Sequence, residues 1–192
     1  MRDYKDENLL LMHGDCLERM KEIPDGSVDM VLADPPYGTT ACKWDSIIPL
    51  EPMWEQLKRI TKPNGAIAMT ASQPFTTSLV ASNIKQAKHF WVWIKERGTG
   101  FQVAKYRPMM ATEDVCVFVN GRGALSTYNP QMTPLEKPRI EKFARSKSGS
   151  SPIANMIQGE RIATARYPVN TLTFKRDKSK MHPTQKLTIH LL

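Results

Sequence analysis

Apolar residues recur along this chain in two rhythms, and together they lay out its elements. Val28–Ala33 and Ala66–Ala71 are short apolar runs, the pattern of strands buried on both faces of a parallel sheet. Lys88–Ile94 adds a third strand rich in aromatic residues, Asp114–Val119 a fourth, and Leu9–Met12 a shorter one ending at His13-Gly14-Asp15. Helical spacing fills several of the intervals. Cys16–Ile23 stops at the turn signal Pro24-Asp25-Gly26. Leu50–Ile60 carries Pro52 near its start and ends before Pro63-Asn64-Gly65, and Pro74–Ile84 is the next helix. Strand alternating with helix predicts a Rossmann-like α/β sheet. From residue 125 to 178 the periodicity fails, and proline, serine and basic residues dominate an irregular insertion.

The sharpest chemical signal sits where Val28–Ala33 ends, at Asp34-Pro35-Pro36-Tyr37. Two consecutive prolines fix φ and remove two N–H donors, so the strand stops and the chain leaves as a stiff, extended elbow. The elbow holds out a carboxylate, a proline carbonyl and an aromatic ring. Acceptors beside a π-face suit a flat, polar ring bearing an exocyclic amine. Taken alone, the four residues read as an acidic turn with a core tyrosine. Their place at the carboxyl end of an apolar strand, where α/β sheets bind ligands, favours a site.

The segment Val28-Asp29-Met30-Val31-Leu32-Ala33-Asp34-Pro35-Pro36-Tyr37-Gly38 resembles the catalytic segment of the DNA amino-methyltransferases. That family moves a methyl group from S-adenosyl-L-methionine to adenine N6 or cytosine N4. Asp at the first motif position is closer to the adenine-N6 members. Leu10–Cys16 resembles the segment before the elbow, and Lys62–Ile67 the next turn-and-strand unit. His182-Pro183-Thr184-Gln185-Lys186 resembles the stretch that opens the cofactor-binding half in members whose halves are permuted. In this order the matches cover most of the chain outside residues 125–178.

The resemblance implies an incomplete methyltransferase sheet with a basic target-recognition insertion. Residues 1–124 would be the catalytic half, 125–180 the insertion and 181–192 the start of the cofactor-binding half. It implies direct transfer to adenine N6 of a base flipped out of double-stranded DNA. Asp34 and the Pro35 carbonyl would hold the amine, Pro36 would complete the corner and Tyr37 would stack on the base. Cytosine N4 stays open as the acceptor. The cofactor contacts implied are Asp15, Cys16, Asp34, His182, Thr184, Gln185 and Lys186. Asp15 is equally good N-cap chemistry for the helix at Cys16, and Cys16 by itself reads as a packing residue. Residues 182–186 by themselves read as an ordinary capped helix, and Leu187 stands where the family commonly has another proline. Permuted members continue into a strand and a glycine-rich loop, whereas this sequence runs to Leu192 without one. The expectation is therefore a complementing second chain or a homodimer. A non-catalytic DNA-binding remnant is the competing reading.

Composition narrows the setting. Of 192 residues 41% are hydrophobic, and no apolar run approaches the length of a membrane span. The charged N-terminus opens no signal-peptide core. Cys16, Cys42 and Cys116 form no C-x-x-C, so neither a disulfide framework nor a zinc cage is indicated. The cytoplasm of a bacterial or phage-infected cell is the expected location. The net charge of +8 is concentrated: residues 137–180 hold eleven Lys and Arg against three acids, and the rest of the chain balances. Such a segment suits a phosphate backbone, and a solvated basic loop is the plainer alternative. DNA contacts are assigned to Lys137, Arg139, Lys142, Arg145, Lys147, Arg161, Arg166, Lys175 and Arg176, and to Trp44 in the loop after the elbow. Trp91 and Trp93 share one strand face and read as core.

Overall fold

The computed structural model describes residues 3–121, 128–142 and 160–174. The chain divides into two compact units, Met1–Thr127 with Asn170–Leu192, and Tyr128–Val169.

The first unit is an α/β domain, an incomplete Rossmann-like sheet of mixed direction. Its chain begins with β1 (Tyr4–Lys5), β2 (Leu10–Leu11), α1 (Cys16–Met20), β3 (Val28–Ala33) and α2 (Leu50–Ile60). It continues through β4 (Thr61–Ala71), α3 (Phe75–Ser82), β5 (Ala87–Thr99), a 3-10 turn at Phe101–Val103 and β6 (Met110–Val119). After the second unit's β7 (Thr133–Lys142) and β8 (Glu160–Arg166), β9 (Thr171–Thr173) returns to the sheet. The strand order is β3-β4-β6-β5-β9. β3 runs parallel to β4 and β5 parallel to β9, whereas β6 is antiparallel to both β4 and β5. The expectation of a parallel sheet is thus corrected. A strand buried on both faces shows the same continuous apolar run whichever way its neighbours point.

Helix α2 occupies the predicted span. Its buried residues Met53, Trp54, Leu57 and Ile60 form one stripe facing the sheet. They meet Ile67, Met69 and Ala71 of β4, Cys116 and Phe118 of β6, and Phe75 and Leu79 of α3. Trp54 packs edge-on against Phe118 at 4.7 Å between centroids, and its indole N–H donates to Ser82 Oγ at 2.8 Å. The opposite sheet face carries a smaller cluster of Ala68, Val115 and Val117 with Trp91 and Leu172. Trp93 is buried, so both tryptophans of β5 serve the core. Met30 and Leu32 on edge strand β3 stay 49% and 53% exposed.

Other boundaries also differ from expectation. β2 pairs with β1 in a separate antiparallel ladder instead of joining the central sheet, and both its leucines are exposed. α1 ends at Met20, and Arg59 of α2 donates to the Met20 and Ile23 carbonyls at and just beyond its end. β4 begins before Ala66 but kinks at Asn64, whose φ is 65°, with a shift of register against β3. A Cβ on the adjoining Gly65 would lie 2.6 Å from Thr61 Cγ2 and 2.9 Å from the Asp29 carbonyl, so only glycine lets the strands close here. β5 runs on to Thr99, past its expected end at Ile94, and β6 begins at Met110, ahead of its expected start at Asp114. Among the described residues no helix is long and apolar enough to cross a membrane.

The second unit, taken by itself, is an antiparallel pair of β7 with β8. Strand structure within the expected irregular insertion is a further correction. Pro134 and Pro138 interrupt β7, and most residues of both strands are solvent-exposed with Ala163 of β8 buried, so the alternation that marks a half-buried strand is weak.

Candidate active site

β3 delivers Asp34 to the sheet's edge, and the two prolines turn the chain away there. Asp34 is exposed and Tyr37 half-buried, so the corner faces outward. Three neighbours fix it. Asp34 Oδ1 accepts from the Tyr37 hydroxyl at 3.1 Å and from the hydroxyl of buried Thr70, on β4, at 2.5 Å. The parallel register aligns Ala33 with Met69, which brings residue 34 beside residue 70. The Tyr37 ring stacks on Phe75, the first residue of α3, at 5.5 Å between centroids and 19° between planes.

The loop after the corner is tied by Asp45, a carboxylate only 8% exposed. It accepts the backbone N–H groups of Gly38 at 2.9 Å, Thr39 at 2.9 Å and Thr40 at 2.7 Å. The Thr40 hydroxyl, then these N–H groups, hold the Asp45 carboxyl down to about 2 against the upward push of burial. Gly38 supports the same turn with φ of +66°, and a Cβ there would stand 2.9 Å from Ile47 Cγ1. Trp44, next to Asp45, projects at 62% exposure.

Asp15 shows one of its two readings, the helix cap. Its Oδ1 accepts the N–H groups of Leu17 at 2.9 Å and Glu18 at 3.3 Å, so it caps α1. Cys16 opens that helix at the surface, and partial burial followed by the Asp15 charge pushes its thiol pKa up. The thiol is therefore poorly ionised. His182, Thr184, Gln185 and Lys186 lie outside the described residues.

Among the described residues of the second unit, Arg139, Lys142 and Arg161 are paired with acids. Arg139 reaches Glu141 Oε1 at 2.6 Å and Arg161 reaches Glu141 Oε2 at 2.8 Å. Arg161 first and Arg139 second hold the Glu141 carboxyl below its ordinary range. Lys142 meets Glu160 at 3.2 Å. Lys137 and Arg166 are exposed. Arg145, Lys147, Lys175 and Arg176 lie outside the described residues.

The structure thus joins to the elbow three residues without a sequence assignment: Thr70, Phe75 and Asp45. Each was visible only as a polar or aromatic residue beside a strand or loop, because its role depends on the register of β3 against β4 or on the path of the loop.

No family model matches the chain. Among solved structures, the chain is similar to the complex of M1.HpyAVI with SAM at 21% identity, covering 92% of this chain and 70% of that one, with a TM-score of 0.49. The cytosine-N4-specific PvuII DNA methyltransferase matches at 14% identity, 87% and 57% coverage, and a TM-score of 0.49. TTHA0409, a DNA modification methylase by its description, from Thermus thermophilus, matches at 18% identity, 60% and 54% coverage, and a TM-score of 0.43. The alignment spans little more than half the length of the last two.

Proposed function

We propose that this protein is a DNA methyltransferase that carries a methyl group from S-adenosylmethionine to adenine N6 of a base turned out of the duplex. The observation that carries the reading is the outward-facing corner, where a fixed carboxylate and a backed aromatic ring flank Pro35-Pro36 at one strand end. Asp at the head of the motif favours adenine over cytosine N4.

The donor set suits the cofactor. Asp15 and Asp34 present exposed carboxylates to a molecule bearing hydroxyls, amines and a positive sulfur. Cys16 adjoins Asp15, and His182, Thr184, Gln185 and Lys186 are assigned to the cofactor's methionine portion. When bound, S-adenosylmethionine supplies a methyl group already activated on its sulfonium.

Adenine N6 is a weak nucleophile because its lone pair is delocalised into the ring. Asp34 and the Pro35 carbonyl accept its two N–H groups, which favours a pyramidal nitrogen and aims the lone pair. Pro36 keeps the corner from relaxing. Tyr37 offers a stacking face worth about 1–3 kcal/mol. Alignment of this kind accounts for about 7–11 kcal/mol of a barrier. A base within a duplex cannot reach the corner, so the enzyme extrudes it.

Residues 125–180 serve target recognition in this reading, with Lys137, Arg139, Lys142, Arg145, Lys147, Arg161, Arg166, Lys175, Arg176 and Trp44 on DNA. The exposed Met30 and Leu32 on edge strand β3 suit cover by a complementing chain or a second copy. The cytoplasm is the working compartment.

The test is incubation with methyl-labelled S-adenosylmethionine and duplex DNA, followed by mass analysis of the nucleosides. N6-methyladenine is the expected product, and N4-methylcytosine would move the acceptor. DNA binding without cofactor binding in calorimetric titration, and without any methylated base, would overturn the proposal in favour of a DNA-binding remnant.

A further inference from the structure

The prolines stiffen the backbone of the corner, but they leave the Asp34 side chain free to turn about two bonds. An exposed carboxylate without a neighbour samples several rotamers. Thr70 supplies the neighbour. Thr70 is 4% exposed, and its hydroxyl meets Asp34 Oδ1 at 2.5 Å, the range of a charge-assisted O–H···O⁻ bond. The Tyr37 hydroxyl meets the same oxygen at 3.1 Å.

We infer that Thr70 is a positioning residue for methyl transfer: through Oδ1 it sets the angle at which Asp34 faces the acceptor amine. The inference rests on the reading of Asp34 as the amine's acceptor. The burial pattern favours this role over a purely structural one. Thr70 is a polar residue in an otherwise apolar stretch, Ala66-Ile67-Ala68-Met69-Thr70-Ala71, opposite Val115 on β6. Valine would fill the same space without bringing a hydroxyl that must be satisfied. The hydroxyl instead reaches across to the adjacent strand's end, where the register of Ala33 with Met69 makes residue 70 the natural partner of residue 34.

Thr70→Val keeps the bulk and removes the donor, while Thr70→Ser keeps the donor and loses the methyl. Steady-state methyl transfer to duplex DNA separates them. A hydrogen bond to a charged group corresponds to a fall of about tenfold to a hundredfold when lost. Thr70→Val is expected to lose that much in kcat with KM for cofactor and DNA within about threefold, since the bond orients instead of binding. Thr70→Ser is expected to recover most of the rate even where its Tm falls below that of Thr70→Val. If Thr70→Val does not fold, Thr70→Ala is compared with serine in its place. Equal losses in the valine and serine variants, or kcat unchanged in the valine variant, would overturn the inference and leave the proposed activity standing. An absence of transfer by the wild-type protein would instead overturn the activity on which the inference depends.

Discussion

The corner at Asp34 and the β7–β8 pair present charge to solvent in opposite ways. At the corner one exposed carboxylate is held by groups that are themselves buried or stacked: Thr70 beneath it and Tyr37 against Phe75. On β7–β8 the charges hold one another, with Glu141 between Arg139 and Arg161 on strands that are almost wholly exposed. Rigid support suits chemistry, because reacting atoms tolerate small errors poorly. Surface ion pairs suit recognition, because each is weak and can be exchanged for a phosphate.

Substitutions at four positions probe this contrast. Asp34→Ala removes the proposed acceptor for the amine at the rigid site, and kcat for methyl transfer is expected to fall about a hundredfold to a thousandfold. A drop below tenfold would reduce the corner to a structural turn. Asp45→Ala strands three backbone N–H groups, costing about 1–3 kcal/mol. The corresponding Tm loss is about 2–12 °C for a chain of this size. Its acid dependence has a definite sign. The folded carboxyl sits near 2 against 3.8 for the ordinary group, so its stabilisation is full above about pH 4 and disappears as pH falls toward 2. Asp45→Asn should therefore flatten the loss of urea resistance between pH 4 and 2. An unchanged acid profile would contradict the loop's dependence on this group.

Phe75→Leu takes away the ring behind Tyr37, and a stacking loss of about 0.5–1.5 kcal/mol corresponds to a fewfold to tenfold lower kcat/KM. Glu141→Gln carries the smallest effect and the opposite sign. Freed from their shared acid, Arg139 and Arg161 should bind duplex DNA a fewfold more tightly. Each new phosphate contact should steepen the log–log salt dependence by about 0.9. Weaker binding would mean that Glu141 orients the two guanidiniums for DNA.

What could be read from sequence follows the range of the interactions. Helix α2 was legible to its ends because Pro52 and Pro63 punctuate it locally. The corner was legible because two prolines dictate its shape without help from elsewhere. Strand direction was not, since the apolar run of β6 says nothing about whether its neighbours run alongside or against it. β7 and β8 escaped notice because most of their residues are exposed and the buried position on β8 is an alanine, too small to mark a period of two. Asp15 had two chemically sound readings, and the N-cap is the one the helix makes visible. Thr70 and Phe75 acquire meaning only once β3, β4 and α3 are side by side. The proposed recognition surface was the least legible, because charge concentration suits phosphate without indicating which side chain would meet it.

The most direct test of the rigid corner is a crystal structure of the protein with adenosine bound. The exocyclic nitrogen is predicted to lie about 3 Å from both the Asp34 carboxylate and the Pro35 carbonyl, with the ring on Tyr37 and Thr70 still bonded to Asp34. Adenosine bound elsewhere, or Asp34 swung away from Thr70 to meet it, would contradict the account.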